Sequence, residues 1–599
     1  MQLQAADSDN DLIQFQLTQA MINDSASGLP VELLPDGQVL IRPRSVDTGT
    51  HKFIITAFDG LASVEQQLIV NVVTDFDTTT RVTGRILTTT GEPLADLPVS
   101  LSRANTITDG DGNFTLILTD DVVPTEDFSI QVPQGDPQFD PLGLGNRTIS
   151  MFRSQFDPFT GDSEFNPRQH PNAVSHYLDG GIVYGTDELR ANALRTFDGG
   201  KLIAWDSPVG QLLPTNSLDF FFGGPLENDN GGGADPTRLF VAGDVRAPEN
   251  VGLASLHTLL LREHNRLADS IQQADPGLDD ETIYQRARRL VTAIIQQITF
   301  QEYLPLLVGE DTLEAYVGYD PDIDPETSKL FTAAAFRLGH SQMNDSLWRR
   351  DSDGNVSPEG DLSLRAAFFN SAPIIENGID EILQGMMAQP AQQIDLQITD
   401  PLRNFLFGPP GSGGLDLAAL NIQRGRDLGL PDYNQARIDF GLAPVTSFDD
   451  ISSDELVRQR LRGNYASVND IDVWVGMLAE DHVPGAMVGE LTRAVIVSQF
   501  KRSRDGDRYW FENEQLTDEE LTFVRDTTIG SLISRNTSIT PDRAALFTLG
   551  TPPQGPGPGG SSAISESKDY RSYDGYNNNP FFSSLGGIGR NLIHDSEVA

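Results

Sequence analysis

The chain has 599 residues, 86 of them acidic against 42 basic, for a formal net charge of -44, and it contains no cysteine. That balance argues against nucleic acid and an anionic membrane surface as partners, since both would repel such a surface. The missing cysteine excludes disulfides, thiolate metal sites, iron–sulfur clusters and cysteine nucleophiles.

Hydrophobic content of 38%, with 55 glycines and 36 prolines, fits a folded, loop-rich protein. No run of about 18 apolar residues offers a membrane span. The opening Met1-Gln-Leu-Gln-Ala5 lacks the basic-then-apolar pattern of a leader peptide.

Residues 1–75 read as β: short apolar runs such as 39–41 and 53–55 are separated by turn residues. Carboxylates cluster at Asp7-Ser-Asp-Asn-Asp11 and at Asp59, and such clusters suit either Ca²⁺ or a solvated turn. The order of an early Asp cluster, Ile54-Ile-Thr-Ala-Phe-Asp-Gly60 and Leu68-Ile-Val-Asn-Val72 resembles a cadherin-like β-sandwich. Residues 76–122 form a second expected β unit. Val82-Thr-Gly-Arg-Ile-Leu87, Gly91-Glu-Pro-Leu94, Val99-Ser-Leu101 and Thr108-Asp-Gly-Asp-Gly-Asn-Phe114 resemble a carboxypeptidase-regulatory-like sandwich. Its Asp-Gly pairs suit hairpin turns. The first unit reads as an adhesion or spacer module and the second as a stalk or spacer.

From about residue 126 the pattern turns helical. Apolar Leu253, Leu256, Leu260, Leu261, Leu267 and Ala268 keep close to a 3.6-residue period over 251–274. A second helix is expected over 281–307, broken at Pro305, and others over 328–339, 381–390, 453–462, 484–500 and 517–534. From 551 the run Thr551-Pro-Pro-Gln-Gly-Pro-Gly-Pro reads as a flexible linker.

Without cysteine, a redox iron must be held by histidine, tyrosine or methionine. There are eight histidines. His340 closes Phe336-Arg-Leu-Gly-His340 at the end of an expected helix. His257 and His264 lie on one helix face, where packing or surface roles are expected for both. No P-loop, dinucleotide fingerprint, zinc-protease motif or hydrolase triad is present; the 411–414 glycine run lacks the lysine of a phosphate cradle.

Ala242-Gly-Asp-Val-Arg246-Ala-Pro-Glu249-Asn250 and Leu256-His-Thr-Leu-Leu-Leu-Arg-Glu-His-Asn-Arg-Leu-Ala268 resemble the animal-type haem peroxidases. The same order continues through Glu302-Tyr-Leu-Pro-Leu-Leu307, Phe336-Arg-Leu-Gly-His340, Asn421-Ile-Gln-Arg-Gly-Arg-Asp427, Asp470-Ile-Asp-Val-Trp-Val475 and Arg504-Asp-Gly-Asp-Arg-Tyr-Trp-Phe511. The resemblance implies a mainly α peroxidase fold over 123–550, preceded by the two small β-sandwich domains. It implies a b-type haem with His340 as iron ligand, its second ring nitrogen bonded to Asn421. Arg246 becomes the distal catalytic arginine, Glu249 the carboxylate that esterifies the haem, and Arg337 and Arg424 the propionate partners. Hydrogen peroxide, with a small reductant or a halide, is the implied substrate pair. Asn250 stands where one branch of the family carries a methionine–haem link, so that link is not expected.

The sequence also departs from the family. Its distal histidine belongs to an Asp-His-Asp motif, and no His-Asp pair occurs in residues 1–250. The expected domain therefore lacks its distal N-terminal part, including the second ester aspartate and a calcium ligand. Ser175, Tyr177 and Asp179 match the family's calcium loop, whereas Gly181 replaces a serine ligand and Leu428 a customary histidine. Tyr570-Arg-Ser-Tyr-Asp574-Gly-Tyr-Asn577-Asn-Asn-Pro580 and Leu585-Gly-Gly-Ile-Gly-Arg590 resemble the stretch that opens bacterial members. Residues 551–599 are thus expected to be a linker and the start of a further peroxidase-like segment of a longer chain. The expectation is an extracellular haem peroxidase of bacterial type, incomplete as a catalyst. The alternative is a non-catalytic, calcium-dependent adhesion protein with a degenerate peroxidase domain.

Overall fold

The computed structural model describes strand backbones between residues 14 and 119. It describes residues 129–540 with side chains, apart from a few short stretches, the longest 405–414. The Asp7–Asp11 cluster, the 411–414 run and everything from 541 onward, including the expected linker and final segment, lie outside the described residues.

The chain divides into two compact units, one of residues 1–125 with 155–170, the other of 126–154 with 171–599. In the first, β1 (Gln14–Ile22), β2 (Ser25–Ala26), β5 (Gly49–Phe58), β6 (Ser63–Val72), β7 (Thr79–Thr88) and β10 (Asn113–Thr119) form one antiparallel sheet in the order β10-β7-β6-β5-β1-β2. The pairing Gln66↔Thr88 through Val72↔Val82 joins strands from both sides of residue 75. β3 (Val31–Leu33) with β4 (Val39–Ile41), and β8 (Pro98–Leu101) with β9 (Ala104–Ile107), make separate hairpins.

The second unit is mainly helical. After a hairpin of Phe128–Gln131 and Thr148–Met151, its first helices are α1 (Gly181–Tyr184) and α2 (Glu188–Ala193). α3 (Val251–Ala274) has the bounds its periodicity predicts, because Asn250 caps it by accepting from the Leu253 N–H. Its residues are buried on nearly every face, so it is a core helix rather than an amphipathic cover.

α4 (Asp280–Ile298) follows, capped by Asp279, and the expected break at Pro305 occurs earlier. Thr299–Tyr303 forms a π turn before α5 (Leu304–Val308), with Pro305 inside the first turn of α5. Proline has no N–H and its ring crowds the carbonyl four residues back, so the strain is absorbed upstream as a widened turn.

α6 (Lys329–Ala333), capped by Ser328, runs into a 3₁₀ turn, Ala335–His340, that ends on His340. Phe336 of this turn stacks on Phe331 at 4.7 Å and tilts against Phe500 at 5.7 Å. Such aromatic pairs contribute about 0.5–1.5 kcal/mol beyond their burial. They pin the segment that presents His340. Downstream, Leu417–Asp427 is a helix capped by Asp416, and Glu490–Asp505 begins after Gly489 rather than at 484. The single helix expected over 517–534 is two, Asp518–Arg525 and Ile529–Asn536, because Thr517 and Thr528 each open a capping box. Among the described residues, no helix is long and apolar enough to cross a membrane.

Candidate active site

Two clusters gather the residues singled out by their motifs. The first is built on the turn that leads into α3. Arg246 is 7% exposed and donates through Nε to Asp244 Oδ1 at 2.9 Å and through Nη2 to Asp244 Oδ2 at 2.5 Å. Burial alone would raise the Asp244 carboxyl, yet the charge and hydrogen bonds of Arg246 hold it well below the usual range. The arginine is likewise raised, against its own burial, by Asp244, with Glu249 and Asp229 adding to the field.

Glu249 is half-buried. Its N–H donates to the Arg246 carbonyl at 2.8 Å and its carbonyl accepts from Phe369 N at 2.9 Å, so backbone bonds fix the turn. A close approach holds it as well. A Cβ on Gly243 would lie 2.3 Å from the Gly181 carbonyl and 2.5 Å from Tyr184 N, so only glycine lets this turn press against α1.

His257 belongs to the same neighbourhood. It is 3% exposed, its Nδ1 bonds the Leu253 carbonyl at 2.9 Å, and its Nε2 has no hydrogen-bond partner. A carbonyl accepts only, so Nδ1 carries the proton and Nε2 is an unprotonated lone pair. Burial lowers its basicity, opposed by Asp244 and reinforced by Arg246. The packing role expected for His257 agrees with this burial and the surface role does not; the same is true of His264, which is fully buried. The Ala242–Asn250 motif implies no role for Asp244. Its sequence signal is only an acid two positions before the arginine of that motif.

The second cluster joins the 3₁₀ turn to the helix Leu417–Asp427. Asn421 Nδ2 lies 2.7 Å from His340 Nδ1, and Asn421 Oδ1 accepts from Arg337 Nη1 at 2.5 Å. The guanidinium can only donate, so it turns the amide oxygen toward itself and the amide nitrogen toward the imidazole. A half-turn of the amide would instead present Oδ1 to Nδ1–H, the arrangement that fixes a neutral imidazole with Nε2 as metal ligand. In both orientations Asn421 fixes the ring through Nδ1, but only the flipped amide leaves Nε2 of the neutral imidazole unprotonated and open to iron.

Arg424 is buried, with Nη1 donating to Ser154 Oγ at 2.9 Å and to Asp427 Oδ2 at 3.1 Å. The structure therefore ties Arg424 to protein carboxylate and hydroxyl groups, while Arg337 joins the His340 cluster.

The loop bearing Ser175, Tyr177 and Asp179 is closed by local bonds. Tyr177 N donates to Ser175 Oγ at 3.1 Å and Gly181 N to Asp179 Oδ1 at 2.8 Å. The Leu178 and Asp179 carbonyls accept from Gln296 Nε2 and Thr292 Oγ1. Ca²⁺ takes six to eight oxygen ligands. Here one carboxylate and one hydroxyl stand among carbonyls already engaged, and no group of three or more acidic or histidine side chains suited to a metal occurs among the described residues. The described donor set does not by itself fit a calcium ion.

Comparison with known proteins decides the family. The sequence profile of the animal haem peroxidases matches residues 104–545. The chain belongs to the animal haem peroxidase family. It is 38% identical to Peroxinectin A of Dictyostelium discoideum over 420 residues, covering 69% of this chain and 77% of that protein. It is 36% identical to lactoperoxidase of Mesocricetus auratus over 455 residues, covering 72% and 62% respectively. Against the peroxidasin homologue of Mus musculus it is 33% identical over 72% of this chain, yet it spans only 30% of that longer protein. Among solved structures it resembles Peroxidase A of Dictyostelium discoideum, with a TM-score of 0.65 and 36% identity over 71% of this chain and 83% of that one. The fatty acid alpha-dioxygenase of Oryza sativa shares the fold, with a TM-score of 0.55 at 22% identity over 69% of this chain and 70% of that one. Family, fold and the peroxidases among its relatives make this animal haem peroxidase an oxidoreductase with haem as its cofactor.

Proposed function

We propose that this chain is a haem peroxidase that oxidises a small electron donor, or a halide, with hydrogen peroxide, and that His340 is its iron ligand. The observation that supports this reading most directly is the Arg337–Asn421–His340 chain, since an imidazole steered through its second nitrogen is the usual arrangement of a metal-binding histidine. A bound b-type haem supplies the redox iron and the place where the peroxide O–O bond is cleaved.

The protein's own groups do the rest. Asn421 sets the orientation of the His340 ring and tunes its basicity. Asp244 occupies the Nε and inner Nη2 edge of Arg246, so Nη1 and the outer N–H of Nη2 are the donors left for a peroxide oxygen. Glu249, beside Arg246, is the carboxylate for an ester to the haem. Arg337 and Arg424 serve the propionates, Arg424 while still braced by Asp427.

Proton transfer is the missing part. Peroxide must lose a proton before its O–O bond breaks, and residues 1–250 contain no His-Asp pair of the family's distal kind. On this reading haem binding and turnover separate: the chain takes up haem, while fast peroxide cleavage needs a base from a further peroxidase segment. Calcium at Ser175, Tyr177 and Asp179 would need ligands from that segment too. The β region, as cadherin-like and carboxypeptidase-regulatory-like spacers, and the -44 charge suit an extracellular, cation-rich setting of bacterial type.

Titrating the purified chain with haem and recording the Soret band tests the proposal. A stoichiometric Soret band that responds only slowly to peroxide is expected. No Soret band after reconstitution overturns it.

A further inference from the structure

A second cluster of redox-capable side chains lies beneath α1, outside the residues assigned above. Tyr184, the last residue of α1, is fully buried, and its hydroxyl lies 2.9 Å from Nδ1 of His264 on α3. The other ring nitrogen of His264 bonds the Gly200 carbonyl at 2.8 Å. That carbonyl cannot donate, so Nε2 bears the proton and Nδ1 is a bare acceptor aimed at the phenol. Gly200 is held there by a left-handed φ of 69°, and a Cβ on it would lie 2.5 Å from Tyr284 N; no other residue type fits this carbonyl onto the imidazole.

Tyr284 packs edge-on to both rings, at 5.9 Å from Tyr184 and 5.5 Å from His264, and its buried hydroxyl has no partner. The two phenols are neighbours under different guanidinium groups, Arg288 at 5.3 Å over Tyr184 and Arg195 at 3.9 Å over Tyr284, and of the two Tyr184 has the proton acceptor.

We infer that Tyr184 and His264 form a proton-coupled electron-donor pair, in which Tyr184 is the resting place of an oxidising equivalent inside the protein. The electron leaves the Tyr184 ring for a one-electron oxidant, the peroxide-oxidised haem in the proposed reaction, which is reduced by one electron. The phenolic proton crosses the 2.9 Å hydrogen bond to His264 Nδ1. The products are a neutral tyrosyl radical and an imidazolium that keeps its bond to Gly200, and the returning electron brings the proton back.

Burial, with Arg195 and Arg288 nearby, lowers His264 to about 4, so it rests neutral and ready to accept. An oxidised phenol is a far stronger acid than that imidazolium, so the transfer runs downhill. Arg288 over the Tyr184 ring at 5.3 Å raises the potential, which confines the radical to strong oxidants. Tyr284 cannot release its proton and is passed over. The path to the Arg246 cluster is short: the Gly243 turn presses on α1, and Asp244 N donates to the Ile182 carbonyl at 3.1 Å.

The oxidant rests on the proposed peroxidase function; the pair itself does not, and the test separates the two. The chain has no cysteine, so Asp198→Cys, in the exposed turn before Gly200, gives a unique point for a ruthenium polypyridyl label. Flash oxidation of the labelled, haem-free full chain should give a tyrosyl absorption that is slowed in heavy water. It should be lost in Tyr184→Phe and kept in Tyr284→Phe. A tyrosyl signal of equal yield in Tyr184→Phe, or no heavy-water effect in the parent, overturns the inference even if one variant folds poorly. In a second arm, peroxide is added to the haem-loaded chain and frozen samples are read by electron paramagnetic resonance. A Soret change with a tyrosine radical indifferent to Tyr184→Phe sinks the pair and leaves the peroxidase reading standing. A flash-generated Tyr184 radical with no Soret response to peroxide does the reverse.

Discussion

Around Arg246 the partners are neighbours in the chain: Asp244 lies two positions away, and Glu249 and the α3 cap follow at once. Around His340 the partners are far apart, Asn421 being 81 positions beyond His340 and 84 beyond Arg337. The first cluster is a buried ion pair that a local turn makes by itself. The second is a polar chain that exists only after a 3₁₀ turn and a distant helix have packed. A local charge pair must stay paired to be tolerated, because its penalty for exposure to a dry interior is large. A long-range amide–imidazole contact contributes less to stability and more to orientation.

The largest expected effect lies on the long-range side. Changing His340→Ala should abolish haem retention through desalting, whereas His257→Ala should retain haem and lower the denaturation midpoint. Equal retention by both variants would remove His340 as the iron ligand. Next comes the local side. Asp244→Ala leaves Arg246 as an unpaired charge at 7% exposure and should cost about 3–5 kcal/mol in urea unfolding. Asn421→Ala is the milder change: it should weaken haem binding by about 10–100-fold, with the unfolding midpoint moved far less than by Asp244→Ala. If Asn421→Ala unfolds the protein and Asp244→Ala spares it, the contrast between the clusters is wrong.

That contrast also explains what the sequence could disclose. α3 was legible to the residue because a 3.6-residue period and the Asn250 cap are local signals. Ordered motifs singled out His340, Asn421 and Arg246, and the structure brings His340 and Asn421 together within a family match over 104–545. The π turn at Thr299–Tyr303 was not legible, because Pro305 announces strain without saying which upstream carbonyl yields. Nor was the fate of Arg424. Its sequence neighbours name Asp427, but Ser154, 270 positions away, reaches it only through folding. His257 and His264 read alike, seven residues apart on one face, yet one ends with an orphan nitrogen and the other between a phenol and a carbonyl. Those outcomes depend on which segments pack over the helix, which no local pattern encodes.

The smallest expected effect falls outside both clusters and tests whether stability and haem binding can be moved separately. Glu302 lies in the π turn, where its Oε1 accepts from Ile529 N at 2.9 Å. Burial pushes its carboxyl up from 4.5 to about 7, opposed by that hydrogen bond. The folded state therefore holds this proton where the unfolded chain has lost it. Its contribution to stability is full below pH 4.5 and falls as pH rises through about 7. His264 has the opposite slope, since its folded value of about 4 is below its ordinary 6.5, and stability is lost as pH falls through that interval. The two slopes oppose each other between pH 4.5 and 6.5. Glu302→Gln keeps an acceptor oxygen for Ile529 N and removes the titration. Its unfolding free energy should therefore rise more steeply with pH than the parent's between 4.5 and 6.5, and the two curves should become parallel above about 7. Subtracting them cancels every other titrating group and isolates Glu302. Curves parallel across the whole range would mean that Glu302 is already ionised in the folded state, and a change in haem affinity would mean that the π turn reaches the His340 cluster.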